Sequence, residues 1–376
     1  MLNENVEYQV SRGKNAPFEL RVVHVSSAGL GGGGGCGNQK GRAEVEGTVQ
    51  KLRERYPRFE FEVLGLEEVV GLGSVDWDAL GLSDFSSTQQ ENDTTTGTTT
   101  KAERLRSLFE NLPSTTSRTD LLRLFVRHLL ISSARQSHSH ALLLGSSTTA
   151  LAELTLSETA KGRGFSLPWQ INDGVLGVPS FSPSTSSSSE QQILIYHPLR
   201  DALRKELVTF TKLAGDPTPI ADLLPGATDL TTTTTAAAAA VVSHKDLSIE
   251  EVMVRYFADV EENYPSIVAN VARTTGKLMR LFGGDAAAAD ADGDAGKVEG
   301  ESDGSEGELE EDERLCGLCT MPLDEFGDER WKGELGEDSY GDSGAAVVAG
   351  DDGGEKKKGK TTKQRICYGC ERSIRG

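Results

Sequence analysis

No stretch of this 376-residue chain stays apolar for the ~18 residues that a membrane-spanning helix needs. Nor do the first residues, Met-Leu-Asn-Glu-Asn, supply the charged and apolar regions of a secretory signal. Together these absences predict a cytoplasmic protein with no membrane partner. Positive charge is scarce: 39 Lys and Arg face 58 Asp and Glu, and the net charge of −19 excludes a generally basic nucleic-acid-binding surface. Apolar residues make up 36%, so the core must be drawn from only part of the chain. Catalytic signatures are missing too. There is no G-x-x-x-x-G-K before Ser or Thr, no G-x-G-x-x-G after a strand, no H-E-x-x-H and no G-x-S-x-G. The run Gly31 to Gly35 lacks the Lys or Ser of a phosphate loop. No Ser/His/Asp set is favoured, and we assign no catalytic residue.

Cysteine is the informative exception. Four of the five stand as two Cys-x-x-Cys pairs, Cys316/Cys319 and Cys367/Cys370. Each spacing lets two thiolates from one tight turn share an ion, and two pairs complete the four-sulfur set of a structural zinc. The segment between them exceeds the ~15–20 residues of a compact ribbon, but closure entropy grows slowly with loop length. The alternatives are unrelated thiol pairs or a redox dithiol. Redox use needs a strand-to-helix turn, and these pairs lie in sparse polar sequence. In a chain without a secretory signal they suit a metal in a reducing compartment. Spacing alone leaves zinc and iron–sulfur both open. Cys36, after five glycines, reads as a loop thiol.

The acidity is localised, between Asp285 and Glu313 and between Glu325 and Asp352. That divides the chain into an α/β domain over 1–282, an acidic linker over 283–313, and a four-cysteine zinc-knuckle module with a long internal loop over 314–376. Low-complexity tracts at 86–100, 182–189 and 228–246 carry too little apolar area to offset backbone ordering and read as disordered insertions.

Within the larger domain, Leu20–Val25, Phe59–Leu64, Ala141–Leu144 and Gln192–Tyr196 read as buried strands. Helical patterns follow them, at about 44–55 and 201–213, and a parallel sheet covered on both faces is expected. A helix over about 117–135 shows one apolar face, and Ile249, Val252, Met253, Tyr256, Phe257 and Val260 fall at helical spacing. Pro265 opens a further helix carrying Ile267, Val268, Val271, Leu278 and Phe282. These stripes are core-packing faces.

Ligands of open parallel sheets bind beyond the carboxyl ends of the strands, where three loops are expected. Gly145, Ser146, Ser147 and Thr148 suit either a helix cap or an anion, as the remnant of a nucleotide loop. Arg163, between Gly162 and Gly164, suits a phosphate contact or a solvated helix stop. After His197 and Pro198, Arg200, Arg204 and Lys205 either line a polyanion groove or pair with Asp201 and Glu206. We take Arg163, Arg200, Arg204 and Lys205 as RNA-binding candidates. His197 itself reads as a packed histidine rather than a general base.

The runs LLRLFVRHLLISSAR (121–135), ALLLGSSTTALAELTLSETAKGRGFSLPW (141–169) and ILIYHPLRDALRKEL (193–207) carry a resemblance. So do SIEEVMVRYFADVEENYPSIVANVARTTGKL (248–278), LCGLCTMPLD (315–324) and ICYGC (366–370). In this order they resemble the cytoplasmic tRNA 2-thiolation protein 2 family. The resemblance implies a Rossmann-like fold of the adenine-nucleotide alpha-hydrolase type. It also implies an accessory, non-catalytic role in exchanging the wobble uridine 2-oxygen for sulfur in cytosolic tRNAs. The implied partners are tRNA, a homologous catalytic subunit in a heterodimer, and a thiocarboxylated ubiquitin-related modifier as sulfur donor. ATP binding is doubtful. Members of that family normally begin with a Cys pair and a strand ending in a Ser-Gly-Gly loop. Met1 here leads straight into helix-like sequence, so an N-terminally truncated chain is expected. A self-sufficient ATP-dependent tRNA sulfurtransferase and a zinc-knuckle scaffold are the alternatives. With a linker between module and body, loss of Cys367 is expected to disorder the C-terminus and leave the α/β core folded.

Overall fold

The computed structural model describes residues 2–27, 36–82, 85, 100–179, 181, 191–214, 247–279, 315–323 and 366–376. From the N-terminus, α1 (Leu2–Ser11) leads to β1 (Arg21–Ser26), α2 (Cys36–Arg55) and β2 (Glu60–Gly65). Two helices, α3 (Lys101–Glu110) and α4 (Thr115–Gln136), precede β3 (Ala141–Leu143), α5 (Thr148–Ala160) and the short α6 (Leu167–Ile171). Next come β4 (Gly174–Val178), β5 (Gln191–Tyr196) and α7 (Arg204–Leu213). The remaining helices are α8 (Ile249–Asn263), α9 (Pro265–Thr275) and α10 (Tyr368–Arg375).

The helices begin where local chemistry satisfies their first N–H groups. Ser114, Ser147 and Ser248 each accept a backbone N–H with the side chain, and Thr100 and Ser248 form reciprocal capping boxes with Glu103 and Glu251. Pro265 occupies the first turn of α9, where its missing N–H costs nothing. The four expected strands are present. The sheet differs from expectation in its cover and its pairing: Leu143, Leu194 and Tyr196 are exposed, so the strands are not buried on both faces. Among the described residues it forms two pieces, β1–β2 and β3–β5–β4, and β4 runs antiparallel to β5. β4 escaped the sequence reading because Gly-Val-Leu-Gly-Val is short and carries two glycines, a weak strand signal.

Parallel pairing aligns Arg21 to Ser26 with Glu60 to Gly65, and Ala141 to Leu143 with Leu194 to Tyr196. α4 is the central pillar: Leu121, Leu124, Phe125 and Leu129 are buried in the main core with Trp77, Phe85 and Leu105. Trp77 stacks on Phe85 at 5.1 Å and tilts against Phe125 at 5.8 Å. A second cluster joins α5, α8 and α9 through Ala152, Phe257, Val260 and Val268. Each fully buried Phe stabilises the fold by about 1.5–3 kcal/mol before entropy is counted.

The expected helix over 201–213 starts only at Arg204, because residues before it turn back onto α5. Thr100, expected in a disordered insertion, instead caps α3. The rest of that tract (86–99), tracts 182–189 and 228–246, the linker 283–313 and Phe282 lie outside the described residues.

Candidate metal centre

The first cysteine pair sits on a tight knuckle. Leu315 and Pro322 form an antiparallel bridge, Cys316 N donates to Met321 O at 2.8 Å, and Thr320 N donates to Cys316 O at 2.9 Å. The turn places Thr320 at φ +58. The second pair straddles the start of α10, with Cys367 at the cap and Cys370 in the first turn. The Cys367 backbone N–H points at Cys316 Sγ, 3.3 Å away.

All four sulfurs are buried and lie within 4.8 Å of one another. Cys319 Sγ and Cys367 Sγ stand 3.8 Å apart and none of the four is in a disulfide. Four thiolates around one ion at ~2.3 Å, tetrahedrally, have edges of about 3.8 Å. The donor set therefore fits a single metal ion. Without one the four cannot all ionise. Burial opposes ionisation of Cys316, but S–H donation from Cys319, Cys367 and Cys370 prevails and holds its pKa well down. Cys319 and Cys367 are pushed up by donating to Cys316 and by burial.

The expectation of a module standing apart from the body does not match the packing. Cys316, Leu318, Cys319, Met321, Cys367 and Cys370 belong to the same apolar core as α4. The knuckle backbone is tied in: Asp76 N donates to Gly317 O at 2.8 Å, and His128 Nε2 meets Leu318 O at 2.6 Å. His128 Nδ1 is 2.9 Å from Ser74 Oγ. Burial lowers the His128 pKa to about 4, so the ring is neutral and Nε2–H donates to Leu318 while Ser74 O–H donates to Nδ1. His128 has no role in the sequence reading; its helical spacing from Leu121 and Phe125, on the apolar face of α4, was the available signal.

α10 is held by the loop after α5. Arg163, a candidate phosphate ligand by sequence, is wholly buried. Its Nε donates to Glu158 Oε2 at 2.8 Å, Nη2 pairs with Asp120, and Nη1 lies 3.5 Å from Cys370 Sγ. It has no surface to offer an RNA. Burial opposes its charge, but Cys370, Glu158 and Asp120 raise its pKa further. Lys161 Nζ lies 2.6 Å from Asp120, 2.7 Å from Glu158 and 2.5 Å from Glu250, and Arg123 Nη2 is 2.6 Å from Glu158. Three cations balance three carboxylates. Although burial alone would raise them, Asp120 and Glu158 are held below the usual carboxylate range by these cations. Ser373 of α10 donates to Asp120 Oδ2 at 2.7 Å. The flanking glycines are required. A Cβ on Gly369 would meet Arg163 Cγ at 2.5 Å and Lys161 O at 2.6 Å, and one on Gly162, at φ +78, would meet the Tyr368 ring at 2.7 Å.

The other loops are committed internally as well. Ser147 caps α5, Thr148 N donates to Ala202 O at 2.9 Å, and Thr148 Oγ1 donates to Arg200 O at 2.6 Å. The helix start after Gly145 and Ser146 is therefore a closed cap, which favours the cap over the anion. Arg204 grips Glu153 at 2.6 and 2.5 Å, and Lys205 Nζ donates to Glu261 O at 3.0 Å. Arg200, its side chain 30% exposed, is 3.5 Å from Asn172 Oδ1 and 3.8 Å from Asp173 Oδ1.

The model for the family described as cytoplasmic tRNA 2-thiolation protein 2 matches residues 248–372, a span that runs from the cap of α8 through all four buried cysteines. Similarity extends further in whole relatives of that name. The protein from Phaeosphaeria nodorum is 34% identical over 330 residues, 87% of this chain and 68% of its own length. The chain belongs to the cytoplasmic tRNA 2-thiolation protein 2 family. A Pyrenophora tritici-repentis member of that family is 33% identical over 88% of this chain and 68% of its own. A Sclerotinia sclerotiorum member is 34% identical over 72% of this chain, which spans 63% of that relative's length. Among solved structures, the U34-tRNA thiolase NcsA from Methanococcus maripaludis with its 4Fe–4S cluster is a distant likeness. Its TM-score is 0.38 at 10% identity, covering 73% of this chain and 67% of that one.

Proposed function

We propose that this protein is an accessory subunit for 2-thiolation of the wobble uridine in cytosolic tRNAs. It works beside a homologous catalytic subunit that takes sulfur from a thiocarboxylated ubiquitin-related modifier. The observation that carries this reading is identity above 30% with relatives named for that process, running through the body as well as the cysteine region. The α/β build is consistent with a Rossmann-like body of the adenine-nucleotide alpha-hydrolase type, and the name of the relatives supports a cytoplasmic location.

Cys316, Cys319, Cys367 and Cys370 hold one structural zinc in this reading, and the ion's contribution is to fold the C-terminal segments onto α4. Their close grouping supports one shared ion over an iron–sulfur cubane, whose cysteines each bind a different corner iron and so stand farther apart. The burial of all four thiols also counts against a self-sufficient sulfurtransferase, which must present a thiol to its substrate. Contact with tRNA is assigned first to the part-exposed Arg200 ahead of α7, with Arg204 and Lys205 retained as candidates that must share their cations with Glu153 and the Glu261 carbonyl.

A strain lacking the gene decides the matter. It should lose wobble 2-thiouridine, and the tagged protein should bring down its paralogue with about one zinc per chain. Wild-type thiouridine in that strain defeats the proposal. Adenylated or thiolated uridine formed by the purified protein alone, with ATP and tRNA, defeats the accessory assignment.

A further inference from the structure

Between α4, α5 and the carboxyl ends of β3 and β5 lies a cavity of about 330 Å³. Leu130, Leu142, Leu144 and Ile195 give it apolar walls, and α8 closes it with Glu250 and Val254. The position is where open parallel sheets bind ligands. The volume is at the small end of the ~300–1,000 Å³ range of ligand sites, room for one or two fused rings.

Three polar side chains of this wall are short of partners. His197 is 2% exposed, and neither ring nitrogen has a hydrogen bond. Arg123 Nε and Glu250 Oε2 also lack one. Buried groups left in this state are uncommon and costly. An apolar occupant leaves all three unsatisfied. An anion fares no better, because Arg123 is already paired with Glu158 and the wall also presents the carboxylates of Glu153 and Glu250. The nearby start of α5 is closed as well, with the Thr148 N–H given to Ala202. What suits the wall is a neutral molecule that donates toward Glu250 and accepts from Arg123, with flat faces against Leu and Ile.

We infer that the cavity is a binding site for a neutral planar heterocycle of the nucleobase type, taken without a phosphate, whose polar edge is read by His197. Burial outweighs the opposing pull of Asp173 and keeps the imidazole neutral, so it offers one donor and one acceptor. Asp173 fixes the base of that side chain by accepting the His197 backbone N–H at 2.8 Å. The heterocycle has two sources, a free nucleoside or a base turned out of an RNA. The site is independent of the thiolation role proposed above.

Full-length metal-loaded protein titrated calorimetrically with uridine, adenosine and ATP tests this inference. At least one nucleoside should bind saturably, with ATP no tighter than adenosine. His197→Phe and Ala150→Leu, the second of which fills the cavity from α5, should each weaken binding at least tenfold. Metal content and melting temperature should not change. An anticodon stem-loop RNA that competes with the nucleoside identifies RNA as the source; lack of competition identifies the free nucleoside. The inference is overturned by no saturable nucleoside binding at millimolar concentration, by ATP binding tighter through its phosphates, or by affinity unmoved in Ala150→Leu. That last variant decides the outcome if His197→Phe fails to fold. Thiouridine levels enter none of these readouts, so failure here is distinguishable from failure of the accessory assignment.

Discussion

Arg163 Nη1 stands 3.5 Å from Cys370 Sγ, a contact between residues 207 positions apart in the chain. One guanidinium thus serves both the sulfur cluster and the Asp120 and Glu158 carboxylates. Arg163→Met leaves the buried Asp120, Glu158 and Glu250 set one cation short, with only Lys161 and Arg123 to balance it, and should cost roughly 3–5 kcal/mol. Arg163→Lys keeps a charge without the planar fork. It should fold, yet surrender its metal to a chelator several-fold faster than wild type. Equal release rates would show that the N–H to sulfur contact is incidental.

Metal removal should loosen the body as well as the tail. Because the knuckle and α10 are packed in the α4 core, Cys367→Ser should lose the ion and lower the melting temperature of one cooperative transition. Hydrogen exchange along α4 near His128 should accelerate. An α4 with undiminished protection would restore the separate-module picture.

His128 should make stability depend on mild acid. Its folded pKa is lowered from 6.5 to about 4, chiefly by burial, so between those values the unfolded chain takes up a proton that the folded one refuses. The stabilisation is complete above pH 6.5 and falls as pH drops toward 4, by up to roughly 3 kcal/mol. Denaturant midpoints measured at fixed metal content should show this slope, and His128→Gln should flatten it.

Gly369→Ala should cost about 1–3 kcal/mol by overpacking, since its new methyl group collides with both Arg163 and the Lys161 carbonyl. A surface glycine such as Gly47, with open space around its Cα, should accept alanine without loss. Paired thermal melts make the comparison.

Salt dependence of tRNA binding should separate the arginines. Arg200→Ala, at a part-exposed side chain, should make the slope of log K against log salt shallower by about one. Arg163→Lys should leave the slope where it was, because that side chain is sealed from phosphates.

Strands β1, β2, β3 and β5 and helices α4, α8 and α9 were legible because branched apolar runs and helical spacing report burial directly, whereas β4, α3, α6 and α10 carry no long run of either kind. The sulfur quartet was legible because Cys-x-x-Cys is a local constraint whose two halves need only meet. What sequence could not give was the fate of Lys161-Gly-Arg-Gly164. Glycines around a cation describe a phosphate loop and a buried lock equally well, and the choice depends on Asp120 and Ser373, which lie far away in sequence and join the nearby Glu158 only in the fold. Nor could it give the two-part sheet, since strand patterns carry no record of which edges pair.

Ser373 reaches Asp120 across 253 positions. On the ribosome, therefore, α4 and the cations Lys161 and Arg163 that neutralise its acidic side emerge long before the residues that cover them. Until the last few codons are read, the nascent chain must carry Asp120 and the first two thiols unsheltered, and a messenger that stops short of them yields a polypeptide with its keystone missing.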